Sequence, residues 1–302
     1  MDLYLPVANL SVNALVIVLL GGGVGLLSGM FGVGGGFLTT PLLIFYGIPP
    51  TVAAASAATQ VTGASVSGAL AHLERGGVDL RMGSVLVAGG LVGSLIGAVL
   101  FELLTAWGQI DTVIAILYVV LLGTVGTLMG REAWGALHAM RAGLPAPARK
   151  RRHHPIVASL PLRWRFYRSG LYISPLAPLI LGMAVGILTM LLGVGGGFIM
   201  VPAMLYLLGM GTQVVVGTSL FQILFVTVAT TMVHAMTTGA VDIVLAGLLL
   251  LGSVTGAQIG ARFAQKARPE YLRMALAIIV LLVALQMAVG LFIRPDEIYT
   301  IQ

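Results

Sequence analysis

The chain has 302 residues, of which 58% are hydrophobic and 9% are charged, and its formal net charge is +6. An ordinary soluble domain has about 25% charged residues, so this composition and a mean hydropathy of +1.05 exclude a typical soluble protein. The chain contains no cysteine, which excludes disulfides, thiolate metal ligands and a cysteine nucleophile.

Eight hydrophobic blocks follow one another along the chain, most of them close to the roughly 20 residues that a helix needs to cross a bilayer. Backbone groups in lipid must be hydrogen-bonded within their own segment, so the blocks are predicted to be helices. The blocks are 12–46, 51–73, 82–104, 110–130, 174–208, 212–236, 241–262 and 271–293. We therefore expect an all-α polytopic membrane protein with a first transmembrane repeat at 1–130, a basic cytoplasmic linker at 131–173 and a second transmembrane repeat at 174–302.

The first block of each half contains the same glycine-rich segment. Residues 32–41 read GVGGGFLTTP, and residues 193–202 read GVGGGFIMVP. Other residues keep nearly the same separation, which drifts only from 161 to 163: Gln60 matches Gln222, His72 matches His234, Asp79 matches Asp242 and Gly93 matches Gly256. This pattern indicates two homologous repeats of about four blocks each. Duplication around a glycine-interrupted apolar segment is typical of transporters with a site between their halves.

The glycine-rich segments are predicted to break the first helix of each repeat, because closely spaced glycines disfavour a continuous helix. Broken backbone at membrane depth is tolerated where it lines a cavity or is buried in protein. A helix starting there would direct its N-terminal N–H groups toward an anion. The predicted substrate-binding glycines are Gly34, Gly35 and Gly36 in the first half and Gly195, Gly196 and Gly197 in the second. The alternative is close helix packing, whereas the spacing fits neither a P-loop nor a dinucleotide fingerprint.

Uncharged polar residues occur at matching places in the second block of each repeat. Gln60 matches Gln222, Ser56 matches Thr218, and Ser219 lies one residue further on. Amides and hydroxyls can donate hydrogen bonds to an oxyanion, so all five are predicted substrate ligands, and the two glutamines are expected to contribute comparably. The alternative is that these groups form hydrogen bonds between helices.

Two histidines and two aspartates also recur. His72 and His234 lie near the ends of their helices, where a histidine could couple proton movement to transport, although capping of a helix C-terminus is the interpretation we favour. Asp79 and Asp242 open the next helix and are predicted N-caps. No metal-ligand spacing, Ser/His/Asp arrangement or paired intramembrane carboxylate is present, so we expect no enzyme activity, no metal and no cofactor.

The linker at 131–173 holds nine of the sixteen lysines and arginines. Short basic loops mark the cytoplasmic side of a membrane and attract anionic lipid, so membrane lipid is the expected partner and nucleic acid is not. The loop with Arg75 and Arg81 is basic in the first repeat, whereas 262–273 is basic in the second. The loops that match these two in the other repeat carry no lysine or arginine, so equivalent loops have opposite charge bias. This favours inverted repeats, with both 131–173 and 262–270 cytoplasmic. Parallel repeats with four plain crossings each are the alternative.

Glycines recur every fourth residue in the third block of each repeat, as Gly89, Gly93 and Gly97 and as Gly252, Gly256 and Gly260. Such ladders allow close helix packing. They motivate a homodimer, although the same ladders would serve equally well for packing within one chain.

The segment Gly-x-Gly-Gly-Gly-Phe…Pro in both halves, the small-residue helix after it and the polar central loop resemble the TauE/SafE sulfite-exporter family. The resemblance implies a permease in the plasma membrane, of the bacterial inner-membrane type, for small anions such as sulfite, organosulfonates or sulfoacetate. We therefore expect a secondary transporter that binds its anion between the two helix breaks. The alternative is a channel-like or sensor protein for small anions without coupled transport.

Overall fold

A computed structural model describes residues 2–31, 35–141, 161, 163–266 and 269–292. Ten α-helices are found within these residues. They are α1 (Ala14–Phe31), α2 (Gly36–Phe45), α3 (Pro50–Glu74), α4 (Leu80–Ala106), α5 (Ile110–Arg141), α6 (Leu176–Leu192), α7 (Gly197–Tyr206), α8 (Thr212–Thr237), α9 (Ile243–Lys266) and α10 (Pro269–Phe292).

The helices follow the predicted hydrophobic blocks, and the first block of each half is divided into two helices. Within the described residues, five segments are long and apolar enough to cross a membrane: Leu80–Ala106, Ile110–His138, Val214–Thr237, Ile243–Gly260 and Met274–Leu291. The chain is thus an all-α multi-pass membrane protein. Helix α5 continues to Arg141, into the predicted linker, and residues 142–160 and 162 of that linker lie outside the described residues.

A short antiparallel β-hairpin precedes the first helix of each half, a feature that the sequence analysis missed. Strands β1 (Asp2–Leu5) and β2 (Leu10–Asn13) come before α1, and β3 (Trp164–Phe166) and β4 (Leu171–Ile173) come before α6. The side chains of Leu5 and Phe166 are both fully buried, so each hairpin packs onto the helices through one apolar face.

Helices α1 and α9 pack closely along their length and run in the same direction. Glycines on both helices permit this approach, because a Cβ on Gly256 would lie 2.1 Å from the carbonyl oxygen of Gly22. Contacting residues advance together along both helices: Gly21 meets Leu249, Gly25 meets Ser253 and Gly29 meets Ala257.

Helices α4 and α6 form the matching pair in the other half of the bundle. A Cβ on Gly89 would lie 2.1 Å from the Leu179 carbonyl oxygen, and one on Gly93 would lie 2.1 Å from that of Met183. The contacts again advance together, so α4 and α6 are parallel. Both glycine ladders therefore pack within one chain. The homodimer that they motivated stays an untested prediction.

The equivalent helices α3 and α8 cross in opposite directions. Early Thr59 of α3 lies 3.4 Å from late Thr231 of α8, measured between their hydroxyl oxygens. Late Gly68 of α3 in turn faces early Leu220 of α8. Helices α5 and α10 are also antiparallel, since Gly126 faces Leu281 and Gly130 faces Ala277.

Two further contacts complete the set of directions. Helix α9 is parallel to α3, because the Asp242 N–H donates to the Ser56 hydroxyl near the start of both helices and Gly63 faces Leu250 further along. Helix α8 runs with α4, as three pairs show: Gly83 with Phe221, Gly90 with Val226 and Phe101 with His234. Thus α1, α3 and α9 point one way, and α4, α6 and α8 point the other way.

These directions bring the described arginines of the loops to one end of the bundle. That end holds the last turns of α3 and α9 and the first turns of α4 and α6. The β3–β4 hairpin is attached there, since the Arg168 guanidinium donates to the carbonyl of Gly76. The arginines that lie at or beside this end are Arg75, Arg81, Arg163, Arg165, Arg168 and Arg262. We call it the basic end.

Candidate functional site

The two helix breaks meet in the interior of the bundle. A Cβ on Gly36, the first residue of α2, would lie 2.7 Å from the Val194 carbonyl oxygen and 2.9 Å from that of Gly193. The ring of Phe37 stacks on the ring of Phe198 with 4.4 Å between centroids. Each phenylalanine directly follows its glycine segment, so the N-terminal turns of α2 and α7 lie side by side.

The second break depends on glycine for its backbone conformation. Gly193, Gly195 and Gly196 have φ values of 69°, 70° and 78°, in the left-handed region that other residues rarely adopt. A Cβ on Gly193 would also lie 2.0 Å from the Ala54 carbonyl oxygen of α3. We call residues 32–36 and 193–197 the two glycine pentads. The second pentad reverses the chain and also allows a close backbone contact with α3.

The carbonyl group at the end of α6 is stabilised by side chains rather than by continued helix. The Tyr118 hydroxyl donates to the Leu192 carbonyl oxygen at 2.6 Å, and the Thr40 hydroxyl donates to the same oxygen at 3.1 Å. Helix-terminal carbonyls lack intrahelical partners, and at membrane depth they need such replacements. Side chains of α2 and α5 thus stabilise the end of α6 at this break.

The first break is described only from Gly35 onward. Residues 32–34 lie outside the described residues, so Gly34 is not placed. Gly35 precedes α2 with a φ of −73°, and a Cβ there would lie 3.6 Å from the Gln60 amide nitrogen. The predicted ligands Gly35, Gly36 and Gln60 are thus close together.

Gln60 is 1% exposed, and only one of the two polar atoms of its amide has a hydrogen-bond partner among the described residues. The Thr39 hydroxyl lies 2.9 Å from Oε1 of Gln60, whereas Nε2 has no hydrogen-bond partner among the described residues. Thr39 was not singled out in the sequence. Its position next to the first pentad was the available signal.

Gln222 is fully buried, and neither its Oε1 nor its Nε2 has a hydrogen-bond partner among the described residues. Its amide packs against α4, since a Cβ on Gly90 would lie 3.1 Å from Nε2. The next residue, Ile223, faces Gly195 of the second break. The difference from Gln60 has a simple cause, because the position that matches Thr39 is Met200, which offers no hydroxyl.

The predicted hydroxyl ligands are engaged in the protein's own hydrogen bonds. Ser56 accepts from the backbone N–H of Asp242 at 3.2 Å, and Thr218 accepts from that of Asp79 at 3.0 Å. The Ser219 hydroxyl donates to the Val216 carbonyl of its own helix. Their role as substrate ligands stays a prediction.

Asp79 and Asp242 are N-caps, as the sequence predicted. The Asp79 carboxylate accepts from Met82 N–H at 3.1 Å, and Asp242 accepts from Leu245 N–H at 3.1 Å. Each aspartate also accepts from the hairpin at its own end of the bundle. Ser169 donates to Asp79, and Val7 donates to Asp242.

The two histidines occupy different environments although both lie in the last turn of a helix. His234 is fully buried, its Nε2 lies 3.0 Å from the Met190 carbonyl oxygen, and its ring meets that of Phe101 edge-on. His72 is only half-buried. Their predicted part in proton coupling is not tested by these contacts. Among the described residues, no group of histidines and carboxylates is placed to hold a metal.

Comparison with known proteins identifies the family. The model of the family described as Sulfite exporter TauE/SafE matches residues 17–287. The chain belongs to this family. Membership in TauE/SafE confirms the resemblance carried by the doubled glycine motif, and it places the chain in a class of membrane transporters rather than enzymes.

Individual relatives agree with this assignment. "Probable membrane transporter protein YjnA" of Bacillus subtilis is 28% identical over 90% of this chain and 98% of that protein. A "Probable membrane transporter protein" of Xylella fastidiosa is 27% identical over 91% of this chain and 95% of its own length. "Sulfite exporter TauE/SafE family protein 2" of Arabidopsis thaliana is 34% identical over 30% of this chain and 20% of that protein. No solved structure gives a significant match.

Proposed function

We propose that this membrane transporter is a secondary carrier of small anions, with sulfur-containing oxyanions such as sulfite, organosulfonates or sulfoacetate as its substrate class. The observation that supports it best is the meeting of two helix N-termini, with the buried amide of Gln60 beside the first of them. The first N–H groups of α2 and α7 have no intrahelical partners and carry partial positive charge. Gln60 adds an amide with an unpartnered nitrogen.

The chemistry of the site matches that of an oxyanion. Sulfonate and sulfite oxygens accept hydrogen bonds, and helix N–H and amide N–H₂ groups donate them. A buried polar group left without a partner costs about 1–3 kcal/mol, so a ligand that supplies acceptors removes this cost. Within the described residues, no lysine or arginine lies in the middle of a membrane helix. Dipoles and amides would bind the anion without the long retention that a buried cation favours.

The burial of both glutamines favours a carrier over a channel-like or sensor protein. Gln60 is 1% exposed and Gln222 is fully buried, so this structure represents an occluded arrangement. An anion reaches these amides only when helices move, as alternating access requires.

The helix directions support inverted repeats as the basis for such movement. The equivalent helices α3 and α8 are antiparallel. Helix α1 is parallel to α9 and α6 is parallel to α4, so α1 and α6 also run in opposite directions. The α1–α2 and α6–α7 segments would then be helical hairpins that enter from opposite sides and meet through Phe37 and Phe198.

The same directions support an orientation in the membrane. Because the basic end carries Arg75, Arg81, Arg165, Arg168 and Arg262, the positive-inside rule assigns it to the cytoplasm. We propose the plasma membrane as location, anionic lipid as a contact of this end, and a homodimer as assembly.

Transport by purified protein in proteoliposomes tests the proposed function. We expect saturable uptake of sulfite or an organosulfonate, competition between these anions, and counterflow when unlabelled anion is loaded inside. A carboxylate such as acetate serves as the comparison for substrate class. Flux that rises linearly with concentration and shows no counterflow would support the channel-like alternative instead.

A further inference from the structure

The fully buried Thr230 of α8 has a hydroxyl without a hydrogen-bond partner among the described residues. Other threonines of the membrane helices bond back to their own helix, as Thr227 does to Ile223 and Thr62 does to Ala58. This back-bonding is the usual way to satisfy a hydroxyl in a helix. Thr230 is thus a second unsatisfied polar group on α8, about two turns beyond the unpartnered amide of Gln222.

Thr230 lies at a defined place between α8 and α4. Gly90 of α4 faces Gln222 and Val226 of α8, and Phe101 of α4 meets His234 of α8. Thr230 is midway between Val226 and His234, so its register position is level with the middle of α4. Gln222, Val226, Thr230 and His234 are spaced by four residues and share one face of α8.

The far end of this face is closed by two contacts. The rings of His234 and Phe101 are 4.9 Å apart between centroids and nearly perpendicular. Nε2 of His234 is held at 3.0 Å by the carbonyl of Met190, two residues before the end of α6. These contacts join α4, α6 and α8 on the side of the breaks away from the basic end, and α4 continues beyond them to Ala106.

The first repeat lacks these features. The position that matches Thr230 is Gly68, and the one that matches Phe101 is Ala264. The matching histidine, His72, is half-buried. The two sides of the site thus differ at one position, because the residue four before the histidine is Thr230 in α8 and Gly68 in α3.

We propose that the interface of α4, α6 and α8 is the path by which the anion passes between the central site and the end opposite the basic end. On this path Thr230 offers a transient hydrogen bond to a sulfonate or sulfite oxygen, and the Phe101–His234 contact closes the exit. The proposal rests on the proposed function, and it adds which helices line the path of the anion and to which end of the bundle that path leads. Unsatisfied hydroxyls suit a transit position, because weak binding lets the anion leave.

Cysteine accessibility tests the path directly, since the chain has no cysteine of its own. Thr230→Cys in proteoliposomes is treated with the ethylsulfonate methanethiosulfonate, a small anionic reagent, and with its trimethylammonium analogue. The mass shift of the intact protein reports labelling. Exposed Tyr4→Cys corrects for intrinsic reactivity, and Ser65→Cys, 2% exposed in the matching helix α3, is the buried control.

We expect the anionic reagent to label Thr230→Cys at least about tenfold faster than Ser65→Cys. After correction for the rates measured with Tyr4→Cys, the anionic reagent should label Thr230→Cys faster than the cationic reagent does. Methanesulfonate should slow labelling by the anionic reagent. Thr230→Val should lower the maximal transport rate about tenfold with little change in half-saturation. The path is refuted if Thr230→Cys resists labelling as Ser65→Cys does while the protein transports. Selective labelling without anion transport would instead refute the proposed function, and with it the passage of an anion, although Thr230 would be accessible.

Discussion

Phe37 and Phe198 stack face to face, with 4.4 Å between ring centroids and 7° between ring planes. They directly follow the two matching glycine-rich segments, and each is 1% exposed. The contact joins the first turns of α2 and α7. No other described aromatic pair links the two breaks.

This pair should stabilise the occluded arrangement. A stacked aromatic pair contributes about 0.5–1.5 kcal/mol beyond its buried area. We expect Phe37→Leu and Phe198→Leu each to lower the thermal unfolding midpoint in detergent, and the double variant to lose less than the sum of the two. Strict additivity would show that the rings are not energetically coupled.

The two glutamines should behave differently in stability although both should matter for binding. Loss of one hydrogen bond to a charged ligand costs about 1.5–3 kcal/mol, which is about ten- to a hundred-fold in affinity. We expect Gln60→Leu and Gln222→Leu both to weaken sulfonate binding by such a factor in calorimetry. Gln222→Leu should keep or raise the stability of the ligand-free protein, because it removes a buried amide that has no described partner.

Thr39→Val provides the matched control for this prediction. It should weaken binding through the first repeat alone, because the Thr39 hydroxyl bonds to Oε1 of Gln60 and to the Gly35 carbonyl, and it should leave the effect of Gln222→Leu unchanged. If both leucine variants bind and transport with wild-type affinity, the glutamines are packing residues and the proposed site is wrong.

The aspartate caps should dominate the stability of the helix ends. Asp79 accepts from Met82 and from both the N–H and the hydroxyl of Ser169. We expect Asp79→Ala to lower the free energy of unfolding by about 1.5–3 kcal/mol, the range for hydrogen bonds to a charged group. The free energy of unfolding of Asp79→Asn should lie between those of the wild type and Asp79→Ala. Asparagine is also a good N-cap, but it cannot accept all the hydrogen bonds that the Asp79 carboxylate accepts. Thermal unfolding in detergent measures both variants, and equal midpoints for Asn and Ala would contradict this account.

The sequence predicted the features that depend on local pattern. The helices follow from hydrophobic blocks, and the caps follow from an aspartate at the start of a helix. That the glycines cause the division of the first block stays a prediction. The two hairpins were missed because strands of three or four residues carry too little alternation to be recognised. The stacking of Phe37 on Phe198 joins residues distant in sequence, and such contacts depend on the tertiary fold.

The sequence predicted residues for a candidate site but not their contacts, and their role as ligands stays a prediction. The sequence gives Gln60 and Gln222 equivalent places, and equal contributions were expected from them. The structure separates them through Thr39 and Met200, a difference that a residue-by-residue comparison of the repeats beyond the pentads could have revealed. Thr230 was missed for a related reason, because its match in the first repeat is a glycine and a search for paired residues passes over it.

Glycines of one helix should differ sharply in their tolerance of a methyl group. A Cβ on Gly256 of α9 would lie 2.1 Å from the Gly22 carbonyl oxygen, whereas one on Gly247 of the same helix meets nothing within 4 Å among the described residues. We expect Gly256→Ala to lower thermal stability strongly. Gly247→Ala should be neutral or stabilising by up to about 1 kcal/mol, the difference in helix propensity. Similar midpoints for the two variants would argue against close packing of α1 and α9.

The two hairpins should lie on opposite sides of the membrane. The β1–β2 hairpin contacts the cap of α9 through Val7, and the β3–β4 hairpin contacts the cap of α4 through Ser169. Those helices start at opposite ends of the bundle, because α9 and α4 run in opposite directions. Tyr4 and Tyr167, one in each hairpin, are 59% and 68% exposed, so a cysteine at either place is accessible to reagent from its own side.

In intact cells, an impermeant maleimide should label Tyr4→Cys and leave Tyr167→Cys unlabelled until the membrane is permeabilised. The assignment of sides follows from the basic end, which carries Arg165 and Arg168 beside Tyr167 and is expected to face the cytoplasm. Labelling of both cysteines, or of neither, in intact cells would place the hairpins on one side and contradict inverted repeats. Labelling of Tyr167→Cys alone would keep the repeats inverted and reverse the orientation, because the opposite directions of α4 and α9 do not depend on which side is inside.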